Sequence, residues 1–352
     1  NALTHAGATV APYPFTTIEP NVGIVPVPEP RLRVLGEMLE PELLTPAVVE
    51  FVDIAGLVRG AHRGEGLGNQ FLGHIRDVDA VALVCRCFES ADVAHVEGEA
   101  DPVRDLDILE LELALADVAT VERRLEKTQS AAKARPRDYA AELAALERLL
   151  AHLQAGHRAD KWAEAQESVH EPVGAALVRE LALLTGKPRL IVANVGENDL
   201  PEGGAWATEV ARVAAAQAAP SIVLCAQLEA DLGEWSPEEA AEYRAEIGLT
   251  QSGLETLAQA GYELLGLITF FTIAGGREVR AWAVERGTHA PQAAGKVHTQ
   301  MEHGFIRAEV LGFPTLVEAG SWQAARERGL VRIEGRDYVV EDGDVCLFRF
   351  SP

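Results

Sequence analysis

The sequence has no stretch approaching the roughly twenty uninterrupted apolar residues of a membrane helix, which excludes a helical bundle built across a bilayer. Its first residues, NALTHAGATV, do not run from charge to an apolar core as a secretory signal does. Cysteine is scarce. Only Cys85, Cys87, Cys225 and Cys346 occur, none in a zinc-type CxxC pair, so reduced core thiols are expected, with Cys85 and Cys87 on one face of a strand. Positive charge is short too: 31 Lys and Arg against 54 Asp and Glu leave a formal charge of -23. That balance opposes a general nucleic-acid coat, which needs a cationic surface. Methionine occurs only at Met38 and Met301 and the first residue is Asn1, so an upstream segment is expected. No fixed-period repeat or low-complexity tract is present. These absences predict a soluble, cytosolic, globular protein, and 352 residues at 48% hydrophobic content give room for two or three domains.

Apolar, β-branched runs recur at 23–27 (GIVPV), 47–54 (AVVEFVDI), 80–88 (AVALVCRCF), 189–195 (RLIVANV) and 221–228 (SIVLCAQL). Several are separated by helix-like stretches, which predicts a mostly parallel sheet covered on both faces. Between the third and fourth runs the period changes. Ile108, Leu111, Leu115, Val118 and Leu125 keep three-four spacing, and Tyr139, Leu143, Leu146, Leu150 and Leu153 repeat it after the breaker KARPRD, which predicts an antiparallel helical hairpin. From 268 onward, short alternating strands and glycine turns predict a separate small α+β domain.

One stretch asks for a chemical reading. In FVDIAGLVRGAHRGEGLGNQF (51–71) an apolar strand ends on Asp53, and glycines follow through a charged run. A carboxylate at the carboxyl end of a strand in an open parallel sheet sits where ligands bind. In the Asp-x-x-Gly of P-loop nucleotide hydrolases the Asp holds Mg²⁺ and the Gly amide approaches the terminal phosphate, and Asp53 and Gly56 fit that pattern. The alternative is a strand-ending turn, since so short a pattern recurs by chance. Asn194, Val195, Gly196 and Glu197 end another apolar run where guanine-nucleotide hydrolases carry Asn-Lys-x-Asp. An Asp in the fourth place accepts two hydrogen bonds from guanine. Glu197 is one methylene longer and does not keep that geometry, so strict GTP specificity is not expected. Cys225, Ala226 and Gln227 stand where a loop contacts the base, and Thr17, following Thr16, offers a hydroxyl to Mg²⁺.

The ordered set PYPFTTIEPNVGIV, FVDIAGLVRGAHRGEGLGNQFL, NVGE and the C-terminal GDVCLFRF resembles the Obg-like ATPases of the YchF subfamily, over essentially the whole chain. The resemblance implies a G-domain-like P-loop NTPase fold with an inserted helical hairpin and a C-terminal β-grasp TGS domain. It implies boundaries of 1–107 and 186–265 for the nucleotide domain, 108–185 for the hairpin and 266–352 for the TGS domain. It also implies a Walker A loop just before NALT, carrying the Lys and Ser that grip phosphate and Mg²⁺, in the upstream segment already expected. The implied activity is Mg²⁺-dependent hydrolysis of ATP, with GTP used less well, by a cytosolic protein that associates with ribosomes in translational or stress control.

Residue by residue, Thr17 and Asp53 are assigned to the metal, Gly56 to the terminal phosphate, and Asn194, Val195, Glu197, Cys225, Ala226 and Gln227 to the nucleotide. Leu57 follows Asp-x-x-Gly where many relatives of Ras place a water-orienting Gln, and an aliphatic side chain orients no water. Hydrolysis then needs another group. The resemblance suggests His95, whose neutral imidazole accepts a hydrogen bond from water near physiological pH, with His62 as a weaker rival. Leu57, Arg59, Gly60, Arg63, Gly64 and Gly66 form the expected switch II, its glycines giving the freedom to rearrange around a terminal phosphate. The alternative function is a ribosome or RNA adaptor whose nucleotide site only sets its shape. Arg277, Arg280, Arg286, Lys296 and Arg307, beside Trp282, are its RNA-contact candidates, with Glu278, Glu285, Glu302 and Glu309 interleaved. The chain is expected to act as a monomer without a membrane.

Overall fold

The computed structural model describes residues 2, 21–54, 67–90, 100–168, 172–274 and 277–351. In chain order the described elements begin with β1 (Asn21–Pro26), α1 (Pro30–Leu39), β2 (Leu43–Thr45), β3 (Val48–Asp53), α2 (Leu67–Asp77) and β4 (Val81–Cys87). Helices α3 (Pro102–Ala132), α4 (Pro136–Gln154), α5 (Ala159–Ser168) and α6 (Pro172–Glu180) follow without a strand. The pattern then returns to β5 (Arg189–Val195), α7 (Gly204–Ala216), β6 (Ser221–Leu224), α8 (Ala226–Leu232), α9 (Pro237–Glu246) and α10 (Gly253–Leu264). The last part holds β7 (Leu267–Ala274), β8 (Glu278–Glu285), α11 (Ala290–Val297), α12 (Thr299–His303), β9 (Phe305–Gly312), α13 (Phe313–Ala319), α14 (Trp322–Glu327), β10 (Arg332–Glu334) and β11 (Asp344–Phe350).

The chain divides into two compact units, one of residues 1–23 with 52–253 and one of 24–51 with 254–352. In the first, β4, β5 and β6 form a parallel sheet with β5 central, pairing Cys85 with Ala193 and Ala193 with Val223. β5 is buried along nearly its whole length, which is why RLIVANV shows no polar alternation. Leu83, Cys85, Cys87, Ile191, Ala193 and Val195 share one core with residues of α3, α7 and α8. All four cysteines are free and buried. Burial pushes the thiols of Cys85 and Cys87 up to about 12 and about 11, so they remain protonated structural groups.

The helical insertion begins at Asp101, whose side chain accepts from the Arg104 amide at 3.0 Å ahead of Pro102. Pro136 opens α4, so the breaker of KARPRD acts as a helix start. α3 and α4 pack through Val121, Leu146, Leu149 and Leu153. Leu111 departs from the expected stripe: it is 57% exposed, while Leu113, Ala116 and Asp117 are buried. A 31-residue helix that packs on two partners in succession turns a different face inward along its length, and a single stripe describes it poorly.

The second unit is built on a six-stranded sheet of order β10-β9-β11-β7-β8-β2. β7 and β8 form an antiparallel hairpin, and β11, the last strand, lies parallel beside β7, the β-grasp arrangement. Sequence reasoning drew residues 24–51 into the nucleotide domain, yet they group with this unit. β2 adds a parallel edge strand to β8, pairing Leu43 with Glu278 and Thr45 with Arg280. Leu32 and Leu35 of α1 join Phe271, Val279 and Leu311 in its core, and Arg31 ion-pairs with Asp342 at 2.7 Å.

Candidate nucleotide site

The open end of the β4-β5-β6 sheet gathers the base-reading candidates. Asn194 is the penultimate residue of β5, flanked in register by Arg86 and Leu224. Its Oδ1 accepts the Ala226 amide at 3.0 Å. This bond ties the end of β5 to the first turn of α8 and leaves Nδ2 as the donor end of the amide. Val195 is buried beneath it and packs in the sheet core. The run at 221–228 does not stay extended: the strand stops at Leu224, Cys225 is the N-cap of α8, and Ala226 and Gln227 open the helix. Burial pushes the Cys225 thiol up, so it is a neutral wall here.

Glu197 begins a 3-10 turn after Gly196 and is exposed. Its Oε1 accepts the hydroxyl of Tyr243 at 2.5 Å, and the edge of Trp235 meets the Tyr243 ring at 5.6 Å. Beneath this corner, buried Glu229 accepts the Gly253 amide at 2.8 Å and pairs with Arg244 at 3.4 Å. Sequence reasoning missed Tyr243, since its place in a polar helix 46 residues after Glu197 carries no motif.

Asp53 is exposed at the carboxyl end of β3, and the next residue, Ile54, packs on the core of the first unit. At the end of β4, Arg86 donates to the carbonyls of Phe88 and Ser90 at 3.1 Å each. It thereby holds the chain at residues 88–90. Thr17, Gly56, Leu57, Arg59, Gly60, Arg63, Gly64, Gly66, His62 and His95 lie outside the described residues. Asn194, Val195, Glu197, Cys225, Ala226 and Gln227 are thus brought together.

A central parallel strand thus carries a side-chain amide at its penultimate position, with a carboxylate one turn on and a helix amide behind it. The fold and site define the class of G-domain-like P-loop proteins, and a family model described as "50S ribosome-binding GTPase" matches residues 1–124. A second, described as "Protein of unknown function (DUF933)", matches residues 267–351. The chain is 45% identical over 353 residues to the "Ribosome-binding ATPase YchF" of Bacillus subtilis (strain 168), covering 100% of this chain and 94% of the relative. To the protein of the same name from Escherichia coli O157:H7 it is 46% identical over 352 residues, with coverage of 100% and 94%. The solved structure of the Schizosaccharomyces pombe YchF GTPase superposes with a TM-score of 0.79 at 32% identity, covering 99% of this chain and 93% of that one. The chain belongs to the YchF family.

Proposed function

We propose that this protein hydrolyses ATP in preference to GTP, with Mg²⁺, and does so in association with the ribosome. The observation that carries the reading is the base corner. Asn194 spends Oδ1 on Ala226, so its amide nitrogen is available to the purine N7, and Glu197 is assigned a second contact to the base. The names of the relatives from Bacillus subtilis and Escherichia coli support both the nucleotide and the ribosome.

For the metal, the donor chemistry fits. Asp53 offers a hard oxygen ligand, exposed at a strand end, and Thr17 is assigned a hydroxyl. Among the described residues no group of three or more His, Cys, Asp or Glu is placed to cage a metal. Mg²⁺ takes one or two protein ligands and fills its shell with water and phosphate oxygens. When bound, the ion neutralises charge building on the β- and γ-phosphate oxygens. Gly56 is assigned to the terminal phosphate through its amide, His95 to the attacking water, and the segment Leu57 to Gly66 to phosphate-dependent rearrangement. In this reading the first unit, outside its helical arm at 108–185, carries the nucleotide, and 266–352 form a TGS domain.

The adaptor reading draws support from one surface. Arg307, Arg326 and Arg349 surround the buried carboxylate of Glu309 at 3.1–3.5 Å, so cations outnumber the acid there. Trp282 is a weaker candidate for stacking on RNA than its sequence context suggested, because the Arg280 guanidinium lies 4.0 Å over its ring and its indole N–H donates to Thr272. The two readings separate by experiment. Turnover of ATP by the full-length protein, accelerated by ribosomes, supports the hydrolase. Salt-sensitive ribosome co-sedimentation, unaffected by variants that stop hydrolysis, supports the adaptor. Either places the protein in the cytoplasm, and no described helix is long and apolar enough to cross a membrane.

A further inference from the structure

We propose that Tyr243 sets the base selectivity of this site by donating to one oxygen of Glu197, so that the carboxylate is held in place and that oxygen is a weaker acceptor for the base. The inference rests on the base-reading role proposed for Glu197.

Both ends of the bond are fixed by the backbone that carries them. Tyr243 stands on α9, whose start is locked by a capping box between Ser236 and Glu239. Ala240, Tyr243 and Ile247 follow a helical three-four spacing and face the core of the first unit, so the Tyr243 ring is held while its hydroxyl reaches out to Glu197. Trp235 closes on the ring edge at 5.6 Å and 64°. On the other side, the turn that carries Glu197 is closed by the Asp199 amide on the Gly196 carbonyl at 3.1 Å and the Leu200 amide on the Glu197 carbonyl at 3.1 Å. The hydrogen bond to the Glu197 carboxylate, with its charge, raises the Tyr243 hydroxyl above its usual range, so it remains a donor at neutral pH.

The two bases differ in the donors that they bring to a carboxylate. A carboxylate reads guanine with two oxygens side by side, one for N1–H and one for the 2-amino group. Adenine presents one amino group and an acceptor at N1. With Oε1 already holding the Tyr243 hydroxyl, that oxygen accepts a second donor more weakly and the carboxylate is turned toward the tyrosine, so the paired geometry that guanine needs is disfavoured. Glutamate length and the tyrosine bond act in the same direction.

The test is equilibrium binding of ATP and of GTP, each with Mg²⁺, to the full-length protein by calorimetry. The variants are Tyr243→Phe, Glu197→Gln and the two combined. Phe keeps the ring that packs on the core, and Tyr243→Leu provides a second side chain without a hydroxyl; melting temperature checks folding. The expected result is that the ATP-to-GTP affinity ratio falls about tenfold in Tyr243→Phe, the scale of one charge-assisted hydrogen bond. Tyr243→Leu should fall likewise, Glu197→Gln should also alter the ratio, and the double variant should match Glu197→Gln alone. A ratio unchanged in both Tyr243 variants but altered in Glu197→Gln overturns the role of Tyr243 and leaves Glu197 as the base reader. A ratio unchanged in all variants overturns the base-reading role itself, and the proposal with it.

Discussion

Asp117, fully buried on α3, accepts hydrogen bonds from Thr185 twice, from its amide at 2.8 Å and from its hydroxyl at 2.7 Å, and from the Leu184 amide at 2.7 Å. This carboxylate caps the 3-10 turn that leads into β5 and so fixes where the helical insertion returns to the sheet. Asp117→Ala strands three donors without water. The expected cost is about 3 kcal/mol, read as a lowered first transition in urea unfolding. Leu111→Ala on the same helix, at an exposed position, should stay within about 0.5 kcal/mol.

Glu309 gives a pH dependence. Burial pushes its carboxyl up, but Arg349, with Arg326 and Arg307, outweighs burial and holds it below the ordinary value of 4.5. A folded-state value below the unfolded one means stability that is complete above about pH 4.5 and is lost as pH falls through the folded value. Acid titration of the melting temperature should show this loss. Glu309→Gln should be less stable at pH 7 and flatter below pH 5, because a neutral amide holds three guanidinium groups poorly.

Gly304 meets the chain end. Its carbonyl accepts the Ser351 amide at 2.8 Å, and a methyl group on its Cα would overlap the Ser351 carbonyl oxygen. Backbone cannot rotate away as a side chain does. Gly304→Ala should cost about 3 kcal/mol and release the end of β11, seen as faster amide exchange at residues 348–351. Gly335→Ala, with open space around its Cα, should leave both unchanged.

His95→Ala in the full-length protein should lower kcat by roughly a hundredfold with ATP affinity nearly unchanged, the pattern of a group that acts on water rather than on the ground-state nucleotide. Unchanged turnover removes His95 from the reaction. Hydrogen exchange across residues 57–70 should slow when ATP binds if that segment is switch II.

What sequence made legible was local and periodic. RLIVANV matched β5 residue for residue, because a strand buried on both faces shows an unbroken apolar run. The helical hairpin was legible from its spacing, and its break from one proline. β2 was not, since three residues become a strand only by pairing with Glu278 to Arg280 more than two hundred positions on. The shift of Cys225 to Gln227 from strand to helix was hidden too: an apolar run does not mark where the N-cap falls. Asn194 and Glu197 were proposed for the site from order and position alone. The bond from Tyr243 to Glu197 was hidden, because it is set by the packing of α9 and by no spacing along the chain.

The most direct measurement is the specificity constant for ATP and for GTP, taken side by side on the full-length protein, with Mg²⁺ and with chelator. The expected result is Mg²⁺-dependent release of phosphate, with kcat/KM higher for ATP than for GTP. Equal or higher efficiency with GTP would contradict it, and so would turnover that persists without the metal.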